Sequence, residues 1–72
     1  MKVYVATLEP DHANSTVIGV ARTLDGAKAL AQRDFPSTAF VWTEHDKGFG
    51  ESWWSSDRDY ESIDIACFEV AG

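Results

Sequence analysis

The stretch TVIGVARTLDGAKALAQRDFP, residues 16–36, decides the fold. Residues 16–22 are rich in β-branched side chains, with Ile18 and Val20 on a shared face, as a strand requires. Thr23 then stands where a helix N-cap belongs, and Asp25 puts a negative charge in the first turn, beside the positive helix end. Leu24, Ala27, Leu30 and Ala31 recur at helical spacing, so the pattern predicts one amphipathic helix over residues 24–34. Pro36 disfavours helical geometry at Phe35 and sets the stop, while Gly26 weakens the first turn slightly.

On the N-terminal side, residues 2–8 (KVYVATL) read as a strand with Val3 and Val5 on one face and Tyr4, Ala6 and Leu8 on the other. A strand apolar on both sides belongs inside a sheet. The polar residues 9–15 form a long loop, making a hairpin with residues 16–22. On the C-terminal side, residues 39–45 (AFVWTEH) are predicted as the third strand, 46–50 (DKGFG) as a hairpin loop, 51–55 (ESWWS) as the fourth strand and 56–59 as a polar turn. Residues 63–70 (IDIACFEV) close the chain as a last strand. Its alternation slips between Ile63, Ile65, Cys67 and Phe68, Val70, which calls for a bulge or for a strand buried on both faces. The expected fold is α+β, a mainly antiparallel sheet of four to five strands with one helix on one face (β-β-α-β-β-β), in a single domain spanning residues 1–72.

Composition narrows the function classes. With 44% hydrophobic, 12% aromatic and 25% charged residues, the chain is too apolar for the disordered class. Twelve acidic residues against six basic ones give a formal charge of −6, and the basic residues are scattered singly, which disfavours direct binding to a phosphate backbone. Cys67 is the only cysteine, so no intramolecular disulfide is possible, and a reducing, cytoplasmic setting is expected. No stretch approaches the ~20 apolar residues of a membrane span.

Lys2-Val3-Tyr4-Val5, Ile18-Gly19-Val20-Ala21-Arg22-Thr23, Ala27-Lys28-Ala29-Leu30-Ala31, Trp42-Thr43-Glu44 and Cys67-Phe68-Glu69-Val70 together span most of the chain. In these pieces it resembles a group of small, functionally uncharacterised bacterial and phage α/β proteins. The resemblance implies the α/β layout and a phage or actinobacterial setting, and it carries over no functional residue.

Trp53-Trp54 is the most informative pair. Neighbours in a strand point to opposite faces and one helix covers one face, so at least one indole must lie on the uncovered side. Phe40, Trp42 and Tyr4 are candidates to join it in an aromatic patch, a common mark of a partner surface. The alternative is that loops or chain ends fold over the rings as a second small core. The carboxylates Glu44, Asp46, Glu51, Asp57, Asp59, Glu61, Asp64 and Glu69 crowd the second half of the chain, where they either attract a basic partner or serve solubility.

Catalytic and metal signals are weak. His45 with Asp46, or Ser55 with Asp57, are adjacent residues outside any recognised catalytic motif. Residues 57–61 lack the glycine and the distal glutamate of a calcium loop, and His12, His45 and Cys67 carry no zinc-ligand spacing. No cofactor and no metal are expected, and no catalytic residue is assigned. The expected function is a non-enzymatic interaction module, a phage or accessory bacterial protein that engages a host protein or a second copy of itself through Trp42, Trp53, Trp54, Phe49, Glu51, Asp57 and Asp59. The alternative is an acidic nucleic-acid mimic or a single-strand nucleic-acid-related protein using exposed rings.

Overall fold

The computed structural model describes residues 1–10, 14–48, 51–58 and 61–71, with the backbone alone for Glu51 and Arg58. Its elements run β1 (Lys2–Pro10), β2 (Thr16–Ala21), α1 (Leu24–Asp34), β3 (Thr43–Gly48), β4 (Glu51–Arg58) and β5 (Glu61–Glu69), the α+β order expected from the pattern. All five strands form one antiparallel sheet in the spatial order β2-β1-β5-β4-β3. The hairpin β1–β2 and the meander β3–β4–β5 are joined by pairing of the first and last strands, from Lys2 opposite Glu69 to Pro10 opposite Glu61.

β5 lies in the middle of the sheet, with β1 paired along one edge and β4 along the other. Its ladders with β1 and β4 run without a register shift, so the bulge alternative fails; Ile63 and Ile65 are buried on one face while Phe68 is 53% exposed on the other, so β5 carries apolar side chains on both faces without being buried on both. The irregularities fall instead in β1–β2 at Ala6/Thr7 and in β3–β4 at Asp46/Gly48, where each edge strand turns away from regular pairing. Gly48 has φ +85, a left-handed conformation that favours glycine, and its N–H donates to Asp46 Oδ1 at 2.7 Å.

Helix α1 matches its expected span, and its ends are those the residues dictate. The Thr23 side chain accepts from the Gly26 N–H at 3.0 Å, while Phe35, with φ −130 and ψ 68, has left helical geometry. Its inward face is small: Ala27 and Ala31 are fully buried, as is Ala6 on β1. Small side chains on both layers bring the helix close to the sheet, and a Cβ on Gly19 of β2 would stand 2.8 Å from Leu30 Cδ1. Ala6, Ala27 and Ile65 form the heart of the core, with Tyr4, Ile18, Ala21, Leu24, Trp42 and Trp54 packed around it.

Besides β5, which spans Glu61–Glu69 rather than 63–70, three expected boundaries need correction. Residues 39–42 are not strand, since β3 begins at Thr43 and continues to Gly48 through residues read as a loop. Residues 56–58 are not a turn, since they extend β4 to Arg58. Glu9 and Pro10 belong to β1 rather than to the following loop.

The segment 35–42 instead forms a covering arm. Helix α1 packs on β2, β1 and β5, and the arm that follows it lies over the β4 side of the same face. Gln32 Nε2 donates to the carbonyls of Phe35, Pro36 and Thr38 at 3.0, 3.4 and 2.9 Å, which folds the arm back onto the helix end. The Val41 N–H donates to the Oγ of Ser56, a buried side chain on β4, at 3.1 Å. Ser56→Ala removes that anchor. It is expected to cost about 1 kcal/mol, lowering Tm by roughly 4–8 °C in a domain of this size, and a thermal melt checks it.

Candidate functional site

The cross-strand register sorts every strand residue onto one of two faces. On the helix side, Tyr4, Ala6 and Leu8 of β1 oppose Cys67, Ile65 and Ile63 of β5, and Trp54 and Ser56 of β4 oppose Ile65 and Ile63. On the open side lie Val5, Thr7 and Glu9 of β1, Ala66, Asp64 and Ser62 of β5, and Trp53, Ser55 and Asp57 of β4. A row of facing residues crosses all five strands there: Val20, Val5, Ala66, Trp53 and His45.

The three tryptophans therefore part company. Trp53 alone faces the open side. Trp54 packs against the core, its ring centroid 6.0 Å from that of Tyr4, and its Nε1 donates to Glu44 Oε1 at 3.1 Å. Trp42 also packs against the core and stacks on Phe40, with centroids 5.3 Å apart, and Phe40 meets Phe35 edge-on at 6.5 Å. The aromatic patch expected on the open face from Tyr4, Phe40 and Trp42 is thus overturned. Phe40 and Trp42 roof the helix side, because the arm 35–42 is not a strand and its residues do not follow sheet parity, and Tyr4 of β1 is on the helix side by its register. Asp57 is exposed on the open face. Phe49 and Asp59 lie outside the described residues, as does the side chain of Glu51.

A groove of about 340 Å³ runs along the open face. Val5, Ala66, Phe68 and Trp53 give it an apolar floor, and Thr7, Glu9, Asp64 and Lys47 supply its polar groups. Phe68 and Val20 on this face are 53% and 56% exposed, large fractions for apolar side chains in a sheet. The indole of Trp53 is held in place from the β3 side. His45 stacks on it with centroids 4.0 Å apart and planes 19° from parallel, and His45 Nε2 is hydrogen-bonded to Ser55 Oγ at 2.7 Å.

This Ser55–His45 pair has the first ingredient of a nucleophile and base, and neither adjacent-residue pairing considered from sequence anticipated it. Catalysis needs more: a group orienting the other ring nitrogen and a pair of donors aimed at a developing oxyanion. Among the described residues the His45 ring hydrogen-bonds to Ser55 alone. The geometry suits a clamp on Trp53. Among the described residues no group of three or more His, Cys, Asp or Glu is arranged to hold a metal ion.

Glu9 and Asp64 give the groove its charge. The Ser15 hydroxyl donates to Glu9 Oε2, and the Ser62 hydroxyl donates to Asp64 Oδ1 at 3.2 Å. Among the described residues neither carboxylate, nor Asp57, has a cation within ion-pair distance. Burial first, and then the charges of Glu9 and Asp57, push the Asp64 carboxyl above its ordinary value of 3.8, against the opposing effects of the Ser62 hydrogen bond and His45. The folded chain holds this proton more tightly than the unfolded chain does. Ionised Asp64 therefore costs stability above the raised value, and the cost fades as pH falls through it toward 3.8. Asp64→Asn keeps an acceptor for Ser62, so it is expected to melt modestly above the parent at pH 7 and level with it near pH 4. Paired melts across that range check the sign.

No family model, no curated protein and no solved structure matches the chain. Among the described residues no helix is long and apolar enough to cross a membrane. Glu9, His45, Ser55 and Asp64 are the site residues that sequence reasoning did not assign to one surface. The signal that unites them is strand parity, usable only once β5 is known to sit between β1 and β4.

Proposed function

We propose that the chain is a non-enzymatic protein-interaction module whose binding surface is the open sheet face centred on Trp53. The observation that carries this reading is the position of Trp53. Its indole is clamped by His45 on one side and borders an apolar-floored groove, with exposed Val20 and Phe68 nearby. A rigid aromatic ring beside exposed aliphatic groups is the composition of an interface centre, since it offers large contact area with little ordering left to lose.

A partner protein fits this face better than a second copy does. Two such faces brought together would oppose Glu9, Asp57 and Asp64 to the same carboxylates, at a desolvation and repulsion cost. The same charges speak against a single nucleic-acid strand stacked on Trp53, because its phosphates would meet carboxylates where such binders present lysine and arginine.

The test is affinity capture from an extract of the source organism with the parent chain and Trp53→Ala side by side, together with sedimentation of each alone. A protein retained by the parent and lost from Trp53→Ala supports the reading. Identical retention by both sinks it, and so does a parent that sediments as a Trp53-dependent dimer at micromolar concentration.

A further inference from the structure

We infer that the groove on the open face seats an arginine side chain presented by the partner, with its stem over Val5 and Trp53 and its guanidinium at Asp64 and Glu9. This rests on the interaction reading above and specifies the chemistry of the partner.

Charge complementarity selects the occupant. The groove is apolar at its floor and carries the carboxylates Glu9 and Asp64 against the single cation Lys47 among its described lining residues. Glu9 faces Ser62 across the β1–β5 ladder, and Asp64 lies two residues along β5 from Ser62, so the two carboxylates are diagonal neighbours on one face. Asp57, opposite Ser62 on the other side, adds a third negative charge to the same end. The Asp64 carboxylate is partly withdrawn from water, and among the described residues the hydroxyl of Ser62 is the one group that donates to it. A group that brings both charge and donors relieves that burial most, and a purely apolar side chain would worsen it.

The floor distinguishes arginine from a small cation. A metal ion or ammonium would leave Val5, Ala66 and Trp53 uncovered, whereas an arginine covers apolar surface with its methylenes and keeps its charged end in the polar part of the groove. The indole has His45 against one side, facing β3. Its other side is toward β5 and the groove, where a planar guanidinium or its stem can lie against it.

The test titrates the isotope-labelled full chain, followed by amide and indole NMR shifts, with three probe peptides: acetyl-Gly-Arg-Gly-Arg-Gly-amide, its citrulline counterpart and its glutamate counterpart. Citrulline keeps the shape of arginine and removes the charge. The expected result is saturable shifts at Thr7, Asp64, Phe68 and the Trp53 indole with the arginine peptide alone, weakened roughly three- to fivefold in Asp64→Asn and again by added salt. Equal shifts with citrulline overturn the cation seat but leave the open face as an interaction surface. Absence of shifts with all three peptides overturns the inference as well. Shifts at these positions that grow with protein concentration alone assign the groove to a second copy and overturn it too. Failure of the interaction reading itself is registered separately, by partner retention that does not respond to Trp53→Ala.

Discussion

Ile65→Ala is expected to remove about 2–5 kcal/mol of stability, a large share of the roughly 4–10 kcal/mol available to a chain of this length. Ile65 is fully buried in the central strand, with Ala6 opposite it on β1 and Trp54 opposite it on β4. Ala6 and Ala27 complete the innermost cluster and are already as small as side chains with a Cβ can be. Neither can expand into the space a shortened Ile65 would leave, so the cavity stays open and its cost is added to the lost burial. Ile65→Val should cost only about 0.5–1.5 kcal/mol. Urea unfolding of the three proteins tests this, with the midpoint falling and the slope unchanged. Ile65→Ala unfolding at the same midpoint as Ile65→Val would mean that the core does not centre on β5.

The helix was legible because its signals are local. Thr23 and Asp25 at one end and Pro36 at the other act through bonds and charges within a few residues, and the span 24–34 follows from them. The covering arm was not legible, because Phe40 and Trp42 have the apolar alternation of a strand while their actual partners are Phe35 and the core beneath. What makes them an arm is the tethering of the chain by Gln32 and Ser56, contacts set by the tertiary fold. The end of β4 is obscured in the sequence for the opposite reason. Ser56-Asp57-Arg58 looks like a turn by composition, yet Ser56 is buried by accepting from Val41, and Asp57 is tolerated because its face is open to water. Parity alone separated Trp53 from Trp54, but which of them lay outside depended on which face the helix took. The carboxylates of the groove come from β1 and β5, remote in sequence and adjacent only because the last strand pairs with the first.

Trp53 and Trp54, identical and consecutive, are expected to respond to alanine in opposite ways, and the contrast tests the assignment of the two faces. Trp54→Ala removes an indole that packs on the Ala6, Ala27 and Ile65 cluster, leans on Tyr4 and spends its N–H on Glu44. Full burial would set the loss at about 3–5 kcal/mol, and because this ring is half-buried about 2–4 kcal/mol is expected. That is enough to lower Tm by roughly 10 °C or more in a small domain. Trp53→Ala forfeits the stack on His45 and some contact with the groove floor, about 1 kcal/mol, and leaves the core untouched. The same substitution deletes the centre of the proposed interface, so binding should fall by far more than stability does. Melting curves and partner retention measured on both variants decide the matter together. If Trp53→Ala proves the more destabilising, or if Trp54→Ala stays folded and abolishes retention, the open face is not the binding face and the covered side of the sheet has been assigned the wrong role.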